Sequence, residues 1–456
     1  MIVFSAAVFG EETSRPVITR KTLNRWVDPV IMEGGPAKEM VGKPIANLRL
    51  YACKNGSFEP IRYQIDEMTE ENGDWILPEG PIPNGELSNG TFDTWDTLIF
   101  MAEDTGDKAG NETWTPGYTS GMEIEVIDPL TQEKGWCYLL YFASNPPARS
   151  SLPDYFTFDY ETNSETSEYR RIRDIITEDG LRTSYYEWFS IPENAGGNDK
   201  SFIDRLKLRI TVKLVFNTIT LNFTEEQMKS SVLAYKRGPV RVTKRVEQYL
   251  LLPAGIKAFR AITDVMQYRA TATCPLIFQV PFRMRRIVSS LVVQAGTDYN
   301  RNAIGARVIN SSNPQGFLVD GRMDDDELNN FDPEYDNWRL ITGGCGTFMN
   351  RTIFPNPEFK KYVTGSMGYI DDVSQAYPPE SEPGTIGYLY QEWDIGKIPK
   401  GTYYGFLEFY WVPNYEPGDE LKYTNYMDHP LKIQAGDQER TSQVMFYVTD
   451  LCRRYE

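Results

Sequence analysis

Alternation of apolar and charged residues is clearest in the segment RLKLRITVKLVF, residues 205–216. Leu206 and Leu208 fall on one side of an extended chain, and Lys207 and Arg209 fall on the other. A repeat of two residues is typical of a β-strand with two different faces. The pattern therefore predicts a long strand whose basic side chains point outward.

Other segments have the same character, because they are rich in the aromatic and β-branched residues that suit a pleated surface. They lie at 46–53, 60–66, 96–102, 122–128, 135–142, 238–252, 270–280, 287–294, 401–412 and 443–451. Only 224–232 predicts a short helix, and 295–337 and 355–385 are long irregular stretches. We expect a mainly β protein.

The segment SNPPARSSLPDY, residues 144–155, interrupts this pattern with three prolines. Such a cluster is typical of a linker, and 456 residues are more than one domain usually needs. We therefore predict two or more antiparallel β-sandwich domains, one at 11–150 and a larger one at 151–456.

Residues 1–10, MIVFSAAVFG, are uncharged and mostly apolar, and small residues at Ala7 and Gly10 could precede a cleavage site. They predict the remnant of a signal peptide, and hence export to the periplasm, the cell surface or the medium. Because a basic start is missing, an apolar N-terminal strand stays open as an alternative. No other stretch approaches the ~20 apolar residues of a membrane span, so we expect no transmembrane segment in the mature chain.

The net charge of −17 is unevenly distributed. Residues 205–286 contain sixteen Lys and Arg against four Asp and Glu. This basic region could bind an acidic polymer through Arg241, Lys244 and Arg245, or it could pair with acidic loops such as 323–336. We do not expect nucleic acid as a partner, because the overall field repels polyphosphate.

Cysteine and histidine content restricts the chemistry. The five cysteines form no C-x-x-C motif, so we expect neither covalent haem nor a zinc ribbon. Cys53 and Cys137 could form a disulfide, or they could be buried thiols. His429 is the single histidine and lies beside a proline, where we expect a turn residue rather than a catalytic one.

The segment NGTFDTWD, residues 89–96, resembles the second half of a dockerin-type calcium loop. Oxygen ligands would come from Asn89, Thr91, Asp93 and Asp96, with Gly90 at the turn. The first half of such a loop is missing, so further oxygens would have to come from the acidic residues beyond the next strand. These are Glu103, Asp104 and Asp107. The sequence thus predicts a structural calcium ion, and the alternative is a turn closed by its own side chains.

Four phrases together resemble a group of uncharacterised, exported bacterial β-sandwich proteins. They are PIRYQIDEM, NGTFDTWDTLIFMAEDTGDKA, RGPVRVTKRVEQYLLL and YEPGDELKYTNYMDHPLKI. The motif GPVR at 238–241 is also similar to a strand start in the supersandwich domains of some polysaccharide lyases. The resemblance implies a supersandwich-like second domain, and it implies no catalytic residues, since the lyase motifs have no match here.

Three functions fit these features, and the leading expectation is a non-catalytic exported protein. It would bind an acidic or neutral polysaccharide or another surface protein, or form part of a cell-surface assembly. The alternative is a carbohydrate-active enzyme, either a polysaccharide lyase or a glycoside hydrolase, in which Trp411 and Tyr415 of the aromatic segment 403–415 stack on sugars. A weaker alternative is an accessory subunit of an exported enzyme or redox complex.

Overall fold

The computed structural model describes residues 19–70, 73–110, 114–115, 117–176, 182–214, 218–252, 256–280, 288–436 and 438–442. It is 50% strand and 9% helix, and the sheets are antiparallel. The prediction of a mainly β protein is therefore confirmed. The predicted signal-peptide residues 1–10 and the predicted strand at 443–451 lie outside the described residues.

The first part of the chain forms short strands. They are β1 (Pro29–Glu33), β2 (Lys43–Pro44), β3 (Leu48–Lys54), β4 (Ser57–Pro60), β5 (Gln64–Asp66), β6 (Thr91–Phe92), β7 (Thr97–Met101), β8 (Ser120–Ile127) and β9 (Lys134–Tyr141).

Longer strands dominate the rest of the chain. They are β10 (Phe156–Asp159), β11 (Ser164–Ser167), β12 (Arg171–Ile176), β13 (Arg182–Ser190), β14 (Ile203–Leu214), β15 (Ile219–Phe223), β16 (Met228–Arg237), β17 (Val242–Leu252), β18 (Ile256–Gln267), β19 (Thr271–Val280), β20 (Val288–Tyr299), β21 (Arg307–Ile309), β22 (Phe317–Leu318), β23 (Trp338–Gly343), β24 (Gly346–Ile353), β25 (Thr364–Asp372), β26 (Thr385–Asp394), β27 (Gly401–Trp411), β28 (Lys432–Ala435) and β29 (Gln438–Thr441). The α-helices of the described chain are α1 (Asp325–Asn330), α2 (Pro357–Tyr362) and α3 (Asp419–Asp428).

Strands β10 to β27 are joined by pairing into one large system of sheets. Side chains from β20 and β26, such as Tyr299 and Leu389, share a core with Phe348 and Trp411 from β24 and β27. Strands β14, β20 and β26 pair with one another, as do β19, β27 and β24. The large region is thus a β-sandwich, and its core lies between these two sets of strands.

The first region has its own core, between a six-stranded and a three-stranded sheet. Strand order is β29-β28-β8-β9-β3-β4 in one and β1-β7-β5 in the other. Leu50 and Leu139 of the larger sheet pack with Leu98 and Phe100 of the smaller one. Because β28 pairs with β8, with Ile433 opposite Val126, residues far along the chain complete this first sheet. The predicted boundary near 150 stays a prediction.

Two local predictions are wrong. The segment 224–232, expected as a helix, forms a turn that leads into β16. The basic face of β14 points only partly into solvent: the residues Lys207 and Arg209 are 1% and 8% exposed. Other parts of the chain cover these two side chains, whereas Lys213 on the same face is exposed.

The four cysteines of the described chain are buried free thiols. Cys53 packs beside Tyr51 and Tyr138, whereas Cys137 packs with Leu139 in the core of the first region. Their separate surroundings explain why they do not form a disulfide. Among the described residues, no helix has the length and apolar content needed to cross a bilayer.

Candidate active site

A cavity of about 180 Å³, lined by both polar and apolar side chains, lies where the first region meets the large sandwich. One wall is a face of strands β19, β24 and β27, and the opposite wall is the segment around β1. The end of α3 and the residues that follow it close a third side. The cavity therefore collects side chains from distant parts of the sequence, as binding sites at domain junctions often do.

Strand pairing places three polar side chains in one row on the sheet. Glu408 of β27 lies opposite Thr273 of β19 on one side and opposite Arg351 of β24 on the other. Directly opposite residues in antiparallel strands share a face, and so do residues two positions apart. Tyr410 consequently lines the same cavity as Glu408.

The Glu408 carboxyl has one oxygen without a partner. Its Oε2 atom is buried and has no hydrogen-bond partner. Burial raises its pKa to about 7, the nearby Asp428 and Asp28 carboxylates add to the rise, and Arg351 opposes it. A carboxyl with such a pKa exchanges its proton near neutral pH, which suits acid–base chemistry.

The opposite wall is held together by Arg25, which is 2% exposed. Its guanidinium forms an ion pair with Asp28 and lies 3.4 Å from a carboxylate oxygen of Asp128. It also donates hydrogen bonds to the carbonyls of Tyr426 and His429, at 2.9 and 2.6 Å, and lies over the Tyr426 ring. Arg25 thereby fixes the end of α3 against β1. Burial raises the pKa of Asp28, while Arg25 lowers it.

A second arginine links the sheet to the helix. Arg351 donates a hydrogen bond of 2.6 Å to Asp428, whose side chain is 52% exposed. Three carboxyl groups, those of Asp28, Glu408 and Asp428, thus line one cavity. His429 follows directly, but its ring is exposed and its Nδ1 contacts the Asn425 carbonyl at 3.1 Å.

The predicted calcium ligands at 89–96 bind backbone groups instead of facing one another. Asn89 Oδ1 accepts a hydrogen bond from the Thr91 amide, and Asp93 Oδ1 accepts from the Trp95 and Asp96 amides. Asp96 accepts from the Met68 and Asp93 amides. These contacts match the alternative of a turn closed by its own side chains.

The acidic residues expected to complete that site lie in separate ion pairs. Glu103 pairs with Arg269, Asp104 with Arg62, and Asp107 with Arg20. No group of three or more His, Cys, Asp or Glu side chains within the described residues is arranged to hold a metal ion. Calcium binding stays a prediction.

The basic residues expected to bind a polymer are turned inward. Arg241 pairs with Asp66, Lys244 with Glu165, and Arg245 with Asp264. Each of these six side chains is at most 19% exposed. The charges of these three basic residues are therefore neutralised within the fold, by acids outside the 323–336 loop.

The two aromatic residues expected to stack on sugars have other contacts. Trp411 is 3% exposed, stacks on Phe189 and lies under the Arg170 guanidinium at 3.8 Å. Tyr415 donates a hydrogen bond of 2.6 Å to Glu420. Neither ring lines the cavity. The residue that sequence reasoning missed is Glu408, whose one available signal was a lone carboxylate inside the aromatic run FLEFYW.

Comparison with known proteins gives matches among solved structures. No protein-family model and no curated protein matches the sequence. Among solved structures, the chain is similar to an alpha-mannosidase from Enterococcus faecalis V583, with a TM-score of 0.44 and 8% identity over 91% of this chain and 44% of that one. It is also similar to a protein in glycosyl hydrolase family 38 from Enterococcus faecalis, with a TM-score of 0.45 and 9% identity over 94% of this chain and 48% of that one.

This chain spans less than half the length of both neighbours. One is described as an alpha-mannosidase and the other as a protein in glycosyl hydrolase family 38. This finding contradicts our leading expectation of a non-catalytic binding or assembly protein, which we withdraw. Structural similarity with a TM-score below 0.5 and less than 10% identity assigns neither an activity nor active-site residues to this chain.

Proposed function

We propose that this chain is a carbohydrate-active enzyme of the hydrolase type, with its active site in the cavity around Glu408. One observation carries the proposal: a carboxyl group with an unpartnered oxygen and a pKa raised to about 7 lies in a cavity with two further carboxyl groups. Glycoside hydrolysis requires a pair of carboxyl groups in different protonation states.

Glu408 has the properties of the general acid. A group that protonates a leaving oxygen must hold its proton at the working pH, and burial is the usual means of raising a glutamate pKa to this range. The free Oε2 atom gives a substrate oxygen a place to bind. Arg351 limits the rise of the pKa, so that Glu408 can also release its proton.

Asp428 is our candidate for the second carboxylate. It lines the cavity, its side chain is half exposed, and Arg351 holds it at 2.6 Å. This position allows it to receive a proton from an attacking water molecule. Asp28 is the alternative, although Arg25 already occupies one of its oxygens.

The same cavity is less suited to a lyase. A lyase needs a base that takes a proton from the sugar ring, and tyrosine is the candidate base of this wall. Burial, with Glu408 adding to it, raises the pKa of Tyr410 well above its ordinary value. A phenol with a raised pKa stays protonated and is a poor base.

Carboxyl groups outnumber arginines among the residues that line the cavity, so a neutral sugar fits better than an acidic one. The volume of about 180 Å³ is below the range of ~300–1,000 Å³ typical of drug-sized ligands. We infer that a single sugar ring enters, in contact with Tyr410 and Tyr426.

The test compares two kinds of glycoside of neutral sugars, including mannosides. Nitrophenyl glycosides lose their leaving group without a proton, whereas disaccharides require one. Glu408→Gln should therefore lower kcat/KM for disaccharides by about 10²–10⁴-fold, and for nitrophenyl glycosides much less. Asp428→Asn should lower kcat/KM for both kinds of glycoside. Asp28→Asn is the comparison, because Asp28 is the alternative candidate base.

Glu327→Gln is the matched control, because the Glu327 carboxyl also has a pKa raised to about 7 but lies in α1, away from the cavity lining. This variant should keep the activity of the wild type. Cleavage of no glycoside in the panel, or equal loss on both substrate types in Glu408→Gln, would refute the proposal.

A further inference from the structure

The guanidinium of Arg25 holds the backbone on both sides of Asp428. Its Nη2 atom donates a hydrogen bond of 2.9 Å to the carbonyl of Tyr426, and its Nη1 atom donates one of 2.6 Å to the carbonyl of His429. Helix α3 ends at Asp428. The last carbonyls of an α-helix have no partner within the helix and need donors from elsewhere. Arg25 supplies such donors to this helix end.

Arg25 is itself firmly held. The residue is 2% exposed, its Nε atom donates a hydrogen bond of 2.5 Å to Asp28, and its Nη1 atom lies 3.4 Å from a carboxylate oxygen of Asp128. The guanidinium also lies 4.1 Å from the centre of the Tyr426 ring. All three of its nitrogen atoms therefore have acceptors, and the end of α3 is attached to a fixed point.

Other contacts leave the position of Asp428 only partly determined. Arg351 donates a hydrogen bond of 2.6 Å to the Asp428 carboxylate, which fixes one oxygen but not the backbone. Tyr423 is the single buried residue among the described residues of α3, and it lies one turn before the helix end. Arg25 thus provides the attachment that packing does not provide.

We infer that Arg25 is a positioning residue, which holds the Asp428 carboxylate at the cavity by fixing the backbone on each side of it. The inference rests on the proposed function, in which Asp428 receives a proton from the attacking water molecule. Arg25 acts through Asp428 and takes no proton itself. Because a displacement of about 1 Å can lower a rate ~10²-fold, a change at Arg25 should affect the chemical step more than substrate binding.

The first test is Arg25→Lys in the full chain. Lysine keeps the positive charge beside Asp28 and Asp128, but one ammonium group cannot reproduce the planar fork that reaches both carbonyls. We expect kcat to fall about 10–10²-fold on disaccharides and nitrophenyl glycosides alike, with KM changed by less than about twofold. An unchanged kcat, or a loss that appears only in KM, overturns the inference.

Arg209→Lys is the matched control. Arg209 is also buried, donates hydrogen bonds of 2.9 and 3.1 Å to the carbonyls of Tyr377 and Pro378, and pairs with Glu225. None of these four residues lines the cavity. This variant should keep the kcat of the wild type. An equal loss of kcat in both variants would show a general effect of losing a buried guanidinium, and would refute a specific role of Arg25.

A second control separates Asp428 from Asp28, since Arg25 contacts both. Asparagine at position 28 still offers an oxygen that accepts the bond from Arg25 Nε. Arg25→Lys should therefore lower kcat by a similar factor when it is introduced into Asp28→Asn. If the loss disappears in that background, Arg25 acts through Asp28 and the inference is wrong.

His429 offers a measurement that needs no substrate, because it is the single histidine of the chain and follows Asp428 directly. Its imidazole should give one resolved signal in a proton NMR spectrum. Arg25→Lys should shift this signal and Arg209→Lys should not. A wild type that cleaves no glycoside refutes the proposed function, whereas a signal that stays in place in Arg25→Lys refutes the role of Arg25 alone.

Amide hydrogen exchange in the wild type keeps the inference testable if Arg25→Lys does not fold. The His429 amide donates a hydrogen bond of 2.9 Å to the Asn425 carbonyl at the helix end. Helix ends usually fray, but an end held by Arg25 should exchange this amide slowly. Exchange at the rate of an unfolded chain would overturn the inference.

Discussion

The guanidinium of Arg241 lies 2.7 Å from a carboxylate oxygen of Asp66, and both side chains are almost completely buried, at 0% and 3% exposure. Asp66 belongs to the three-stranded sheet of the first region, whereas Arg241 directly precedes β17 of the large sandwich. Tyr268 and Gln64 add further hydrogen bonds to Arg241. This ion pair therefore joins the two regions at a buried contact.

We expect Arg241→Met to lower the free energy of unfolding by about 3–5 kcal/mol, because it leaves Asp66 buried with one cation fewer. Denaturation by urea, followed by tryptophan fluorescence, measures the change. Arg237→Met is the control: its ion pair with Glu79 is 55% and 29% exposed, so the loss should stay below about 1 kcal/mol. Similar losses in the two variants would contradict this account.

Stability should fall as the pH rises toward neutrality, in part through Asp96. This residue is fully buried, it forms no ion pair with any described residue, and burial raises its pKa to about 7. The folded state therefore holds a proton on Asp96 that the unfolded state releases at about pH 4. The stability that this proton contributes is fully present below about pH 4 and is lost as the pH rises through about 7.

The ionisation of Asp96 changes the free energy of unfolding by at most about 1.4 kcal/mol per pH unit. Asp96→Asn should show a smaller loss of stability between pH 5 and pH 7 than the wild type, as measured by urea denaturation at each pH. Parallel curves for the two proteins would show that Asp96 is ionised in the folded state.

Activity should depend on pH through Glu408. As the general acid it must be protonated, so kcat/KM for a disaccharide should fall about tenfold per pH unit above its pKa of about 7. Glu408→Gln should lose this alkaline limb while keeping a low residual rate. An alkaline limb that persists in the variant would assign the proton to another group.

Calcium should have little effect on the 89–96 turn. Asp93 and Asp96 already accept four backbone hydrogen bonds between them, and an ion would have to replace some of these. We expect melting temperatures in calcium and in EDTA to agree within about 1 °C, the level of a few tenths of a kcal/mol. A calcium-dependent rise that Asp93→Asn removes would instead confirm the calcium prediction.

The strands could be predicted from sequence because alternation and β propensity are local signals. The strand expected at 205–216 is observed as β14, and the segment at 401–412 is observed as β27. The alternation cannot reveal that other parts of the chain cover the strand and bring acidic side chains to it. The sequence around Lys207 shows only a charged residue, and only the folded chain shows that Asp298 and Glu380 neutralise it.

The cavity could not be predicted for a similar reason. Arg25 and Asp28 come from the start of the described chain, Thr273 and Glu408 from two strands of the large region, and Asp428 from a helix near its end. The sequence separations exceed any motif spacing. The basic residues at 241–245 could be noticed in the sequence, because they lie close together along the chain. This closeness gave no information about their acidic partners.

The pairing of β28 with β8 has a consequence for the order of folding. On the ribosome, the strand that contains Val126 must wait for some 300 further residues to be synthesised before its neighbour, with Ile433, exists. During that time one edge of the first sheet has unpaired backbone groups, which favour association with other chains. Contacts of such long sequence separation also slow folding. We expect the nascent chain to depend on chaperones until residues 432–441 have emerged.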